Sequence, residues 1–172
     1  MKNNLIKTRE NYLAYPEIVT WEENFSTGIE LVDKQHRELV DLTNHLYQAC
    51  IAGNDQMDLD LVFKDTMSHM VEYVRCHFTA EQELMKRVNY PNYDLHKMQH
   101  DYFIKRIIVS AADYESGRKF APNIFVRTLK DWVYSHIALY DKSYADYVAD
   151  QRQRGLLPDE CLACRLSVAP TP

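Results

Sequence analysis

The residues of this 172-residue chain with metal or proton chemistry within reach are its seven histidines, four cysteines and a few acids placed among them. Their spacing is not random. His77 and Glu81 are four apart, His96 and His100 are four apart, His136 precedes Asp141 by five, and His36 stands alone upstream. Residues i and i+4 lie on one helix face about one turn apart, so each of the first two pairs can aim two donors into a common space. A spacing of five puts the side chains about 140° apart on a regular helix. Asp141 must therefore reach sideways, or the helix must widen locally as a π-bulge does.

All seven residues occupy the apolar stripes of four helical segments, where leucine or valine would ordinarily stand. A buried carboxylate without a partner costs several kcal/mol at least. A single imidazole on such a stripe is ordinarily a hydrogen-bonded core residue, and a single acid an ion-pair partner. Here four segments carry such residues near their middles, with no lysine or arginine at neighbouring stripe positions. A metal centre supplies the missing compensation, because neutral imidazoles and anionic carboxylates are good ligands for a dication or trication. Carboxylate and imidazole without thiolate favour iron or manganese over structural zinc. Seven ligands are too many for one ion. With two ions, bridging Glu81 and Asp141, five imidazoles and one solvent-derived bridge fill about eleven of about twelve positions. One position on one ion stays open for a small ligand.

The elements that must position these residues are read from the 3.6-residue apolar period. A first helix is expected from about 27 to 52, with Ile29, Val32, His36, Leu39, Thr43, Leu46 and Cys50 on one face. Thr27 and Glu30 fit a capping box, and Gly53 a stop. A second runs from about 60 to 88 with the stripe Phe63, Met67, Met70, Val74, His77, Glu81, Leu84 and Val88, closed by Asn89-Tyr90-Pro91-Asn92. A third, from about 93 to 116, aligns His96, His100, Phe103, Ile107 and Ala111 and stops at Gly117. A fourth opens after Pro122-Asn123 and runs to about 150, with Phe125, Leu129, Trp132, His136, Tyr140 and Tyr144. Long helices with short connections predict an all-α, antiparallel up-down-up-down four-helix bundle with a dinuclear metal site in its core. The expected organisation is an N-terminal arm (1–22), the bundle (23–150) and a C-terminal tail (151–172).

Composition narrows the function. Only four glycines and six prolines argue against an all-β or low-complexity chain. A net charge of -5 without a basic run argues against nucleic acid as a partner. No stretch approaches the ~20 apolar residues of a membrane span, so no membrane partner is expected. The first residues lack an apolar signal region, so the expected compartment is the cytoplasm. The cysteines Cys50, Cys76, Cys161 and Cys164 are then expected as thiols or metal ligands rather than a disulfide framework. Cys161 and Cys164 form an isolated CxxC, read as incidental or partner-contact thiols rather than a redox or zinc site. His45 and His69 have no partner at ligand spacing and are expected at surface or rim positions without a metal role.

The ferritin-like alternative requires Glu-x-x-His pairs, and no glutamate here has a histidine three residues later. The motifs instead resemble the hemerythrins, specifically the bacterial single-domain kind. Gly28-Ile29-Glu30-Leu31-Val32-Asp33-Lys34-Gln35-His36 is similar to that family's first-helix motif. His77-Phe78-Thr79-Ala80-Glu81 resembles its HxxxE, with Leu84-Met85 following. Tyr90-Pro91 leading into His96 and His100 resembles its third-helix motif, and Trp132 through His136 to Asp141 its HxxxxD. The resemblance covers about 21–141. It implies two non-heme iron ions (Fe2+/Fe3+) with an oxo or hydroxo bridge. His96, His100 and His136 would hold one iron, His36 and His77 the other with its vacant position, and Glu81 and Asp141 would bridge them. It implies reversible O2 binding as carrier, store or local supplier, with nitric oxide or peroxide as further small ligands. Helix position and resemblance together put Leu39, Phe78, Trp132 and Ile137 in the wall of the O2 pocket.

Two other functions use the same centre. A sensor or interaction module would signal through the arm or tail to a protein partner that the sequence leaves unknown. An enzyme, a peroxidase or a nitric-oxide-handling one, would turn over at the vacancy. No acid–base residue beyond the ligands stands on the stripes, so the expectation is a binding protein rather than an enzyme.

Overall fold

The computed structural model describes residues 15–52 and 56–157. Four long helices carry the fold. Helix α1 is Glu30–Ile51. Helix α2 (56–87) is built from an α-helical Gln56–Tyr73, a π-helical Val74–Phe78 and an α-helical Thr79–Arg87. Helix α3 is Tyr93–Glu115. Helix α4 (121–153) is built from an α-helical Ala121–Trp132, a π-helical Val133–Asp141 and an α-helical Lys142–Gln153. Each helix packs on two neighbours, α1 on α2 and α4, α3 on α2 and α4. The ring so formed, with its short connections, is the antiparallel bundle read from the sequence. Among the described residues no helix is long and apolar enough to cross a membrane.

The helix ends have local causes. At the start of α1 the expected capping box does not form. Thr27 donates its hydroxyl to Asp33 at 2.6 Å instead, and Asp33 also accepts from Ser26 Oγ at 2.6 Å and the Thr27 N–H at 2.7 Å. The carboxylate one turn into the helix thus gathers the incoming loop, a task the spacing had given to Glu30. Asn89, in the left-handed region at φ 51°, ends α2, and the Tyr90 N–H reaches back to the Met85 carbonyl at 2.8 Å. Gly117 at φ 77° ends α3 in the same way, with the Arg118 N–H on the Asp113 carbonyl at 3.1 Å. Pro122 sits in the first turn of α4, where its missing N–H has no helical partner to lose. That helix begins slightly before the sequence suggested, and α2 begins about one turn earlier than expected.

Two apolar blocks fill the bundle. One contains Phe25, Leu39, Leu46, Phe63, Met70, Phe103, Phe125, Leu129 and Ile137. The other contains Ile29, Val32, Leu84, Met85, Val88, Tyr144 and Val148. The chain before α1 joins the first block: Val19 is buried, and its N–H and carbonyl are both held by the Asn44 side-chain amide. Trp21 lies under the Arg37 guanidinium, 3.9 Å from the ring centroid. Gly53, Cys161 and Cys164 lie outside the described residues. Cys50 is half-buried against the core and its thiol is pushed up to about 11 by burial. Cys76 turns away from the stripe and donates to Glu72 at 2.9 Å.

Candidate metal centre

Between the two apolar blocks lies a layer that is wholly polar. His36, His77, Glu81, His96, His100, His136 and Asp141 are all at most 1 % exposed. Every residue singled out from the spacing is there, drawn from all four helices. The donor atoms form two overlapping groups, within each of which they all lie within 4.8 Å of one another: Glu81, His96, His100, His136 and Asp141 in one, His36, His77, Glu81 and Asp141 in the other. Both carboxylates belong to both groups. That is the geometry of two adjacent cation sites spanned by Glu81 and Asp141, with the second site one imidazole poorer.

The imidazoles point their Nε2 atoms inward. His36 Nε2 is 3.1 Å from Asp141 Oδ2, His136 Nε2 3.0 Å from Asp141 Oδ1, and His100 Nε2 3.2 Å from Glu81 Oε2. His96 and His100 bring their Nε2 atoms within 3.1 Å of each other. Despite these approaches, Nε2 of His36, His77 and His136 and both oxygens of Glu81 and Asp141 make no hydrogen bond. Lone pairs converging on lone pairs in a dry core repel one another unless a cation sits among them. The donor set therefore fits metal ions, and its chemistry fits iron.

The π-helical stretch Val133–Asp141 is what makes the five-residue spacing work. Widening the helix brings Asp141 round to the face of His136, as the sequence required of any helix carrying that pair. A second π stretch, Val74–Phe78, contains His77 and was not foreseen. It shifts the upstream register, so Thr66 and Tyr73 face the core where Met67 and Val74 were expected, and those two lie half-buried at its flank.

A family model described as the hemerythrin HHE cation binding domain matches residues 27–148, a span that contains all seven donors. The chain belongs to the hemerythrin family. It is 32 % identical over 132 residues to the bacteriohemerythrin of Stenotrophomonas maltophilia, covering 76 % of this chain and 82 % of that protein. It is 28 % identical over 130 residues to the bacteriohemerythrin of Pseudomonas aeruginosa, covering 76 % and 81 %. Against that of Clostridium acetobutylicum it is 28 % identical over 130 residues, covering 73 % and 98 %.

In this hemerythrin the outer face of the donor set is held by groups the stripe pattern did not reveal. His77 places Nδ1 2.9 Å from Gln35 Oε1, and His100 places Nδ1 3.1 Å from the Gln82 amide. Ligation through Nε2 leaves the proton on Nδ1, so these amides fix tautomer and ring angle together. Gln82 faces His100 with its Nε2; ligation through His100 Nε2 calls for the near-isosteric flip of that amide, so that its oxygen accepts from Nδ1–H. Both glutamines neighbour a ligand in sequence (Gln35–His36, Gln82–Glu81), which is the signal that could have found them. Aromatic rings complete the packing: Phe78 stacks on His100 and Trp132 on His136, each at 3.7 Å between centroids. Leu39, Phe78, Trp132 and Ile137 are all buried in the same apolar block.

The electrostatics favour positive charge at the centre. Burial pushes His77 down to about 3, the neighbouring imidazoles His36 and His100 adding to the effect. Burial likewise lowers His136. Burial also opposes charge on His96, but the nearby carboxylates of Asp141 and Glu81 overcome it and lift the imidazole to about 9. His36 is raised for the same reason, by Asp141 foremost after burial is overcome. Although burial pushes the other way, the surrounding imidazoles hold both Glu81 and Asp141 below the usual carboxylate range.

The two remaining histidines divide. His69 is exposed, its Nδ1 2.9 Å from the Asp65 carbonyl. His45, expected at the surface or rim, is buried instead, because α2 lies across that side of α1. Neither belongs to the donor groups.

Proposed function

We propose that the protein binds O2 reversibly at a pair of iron ions and serves as an oxygen carrier, store or local supplier. The observation that carries this reading is the overlap of the two donor groups, which share both carboxylates and differ by one imidazole. His96, His100 and His136 would hold one ion and His36 and His77 the other, with Glu81 and Asp141 shared between the two sites. When bound, the ferrous pair supplies the two electrons that O2 takes up and gives back.

The chain does the rest. Gln35 and Gln82 keep two imidazoles in the ligating tautomer. Leu39, Phe78, Trp132 and Ile137 keep the open position dry, which slows loss of reduced oxygen and entry of competing anions. The names of the curated relatives support the reading at the level of family. In this account the protein is a binding protein rather than an enzyme; peroxide or nitric oxide turnover above that of free iron would contradict that.

The test is a cycle. The iron-loaded protein is reduced without air, exposed to O2, and purged with inert gas. Recovery of the diferrous spectrum over repeated cycles supports reversible binding, and a single irreversible oxidation rejects it.

A further inference from the structure

Tyr73 closes the α-helical part of α2, one turn before His77. Its ring stacks on the His77 imidazole, with centroids 4.4 Å apart and planes 23° from parallel, and meets the edge of Phe78 at 5.6 Å. The residue is only 8 % exposed, and its hydroxyl has no hydrogen-bond partner. A phenol carries its proton at neutral pH and can donate it in a hydrogen bond. Trp132, whose ring stacks on His136, is the polar neighbour of this hydroxyl, and its indole N–H is also without a partner.

An unpaired hydroxyl in a dry core costs stability that phenylalanine would not. The other large aromatics of this block, Phe25, Phe63, Phe78, Phe103 and Phe125, carry no hydroxyl. The ring of Tyr73 instead lies against His77, in the donor group that has one imidazole fewer. Tyr73 also lines, with Gln35 and Leu39, a cleft of about 320 Å³ between α1 and α2. It stands as the wall between that cleft and the centre.

We propose that the Tyr73 hydroxyl donates a hydrogen bond to the small ligand at the open position beside His36 and His77. The proposal rests on the di-iron reading above and adds a specificity device to it. A fixed O–H donor favours ligands that carry or acquire negative charge at the iron, such as O2 and azide, over ligands that do not, such as carbon monoxide.

The experiment uses the iron-loaded, oxidised full chain and azide as the probe, comparing the natural protein with Tyr73→Phe. Hydrogen bonds to charged groups correspond to a loss of about ten- to a hundredfold in affinity when removed. The expected result is that rise in the azide dissociation constant, with iron content unchanged. The melting temperature without azide should be equal or higher, since the unpaired hydroxyl is gone. The infrared stretch of bound azide should shift between H2O and D2O in the natural protein and not in Tyr73→Phe. Equal azide affinities overturn the proposal, and so does an isotope shift that persists in the variant. A natural protein that holds no iron or forms no azide complex overturns the di-iron reading itself, a result distinct from either.

Discussion

Removing the iron should destabilise the bundle, and the cost depends on pH in a definite direction. Without metal, seven buried donors must find compensation among themselves. His96 supplies some of it by keeping a proton, which Asp141 and Glu81 stabilise up to about pH 9. In the unfolded chain the same imidazole loses that proton near 6.5. A pKa that is higher in the folded state adds stability that is complete below about 6.5 and disappears as pH rises through about 9. The shift corresponds to about 3 kcal/mol at about 1.4 kcal/mol per unit. For a chain of this size that is about 6–12 °C in Tm. Below 6.5 the opposite groups act, because His77 is held neutral down to about 3 and must charge on unfolding. The apoprotein should therefore be most stable near pH 6.5. In the loaded protein the imidazoles are ligated and do not titrate across this window. The assay is thermal unfolding by circular dichroism of chelator-stripped and loaded protein at pH 6.5, 7.5, 8.5 and 9.5. An apoprotein Tm that stays flat over that range, or that moves in parallel with the loaded form, would refute the reasoning.

Three further outcomes are expected. Deleting Ala138 shortens the step from His136 to Asp141 to four, which a regular α-helix places on one face, so the π-helical Val133–Asp141 should close to α-helix with Asp141 still on the face of His136; iron per chain and helical signal should both stay at their natural values. Ile137→Ala, at a fully buried site in the pocket wall, should cost about 2–5 kcal/mol in chemical denaturation and speed autoxidation of the oxygenated form. Asp33→Ala strips the incoming loop of the acceptor for Ser26 and Thr27. It should cost about 0.5–2 kcal/mol while leaving iron content at its natural value.

The centre was legible in the sequence because its donors break a rule that is otherwise kept. His36, His77, Glu81, His96, His100 and His136 stand on stripes whose other members are mostly apolar, and a helix places i and i+4 together whatever the tertiary context. The five-residue step from His136 to Asp141 even announced the widened helix that carries it. The second widening, at Val74–Phe78, left no such mark, since His77 and Glu81 already fit a regular helix. Its effect falls upstream, and so the stripe runs through Val74 and misses Tyr73, which is stacked on a donor. Gln35 and Gln82 were invisible for a related reason. They flank the stripe and act through hydrogen bonds across helices, which periodicity does not encode. His45 was misplaced because burial at a stripe's edge depends on how closely the next helix lies, a tertiary fact. Asp33 took the capping task from Glu30 because three donors in residues 26–27 fold onto one carboxylate.

The most direct test of the central claim is the iron stoichiometry of the folded full chain after anaerobic reconstitution with excess ferrous salt and removal of loosely bound metal. Two irons per chain, lost in His77→Ala and Asp141→Ala, is the predicted result. A folded chain that retains one iron or none contradicts the account.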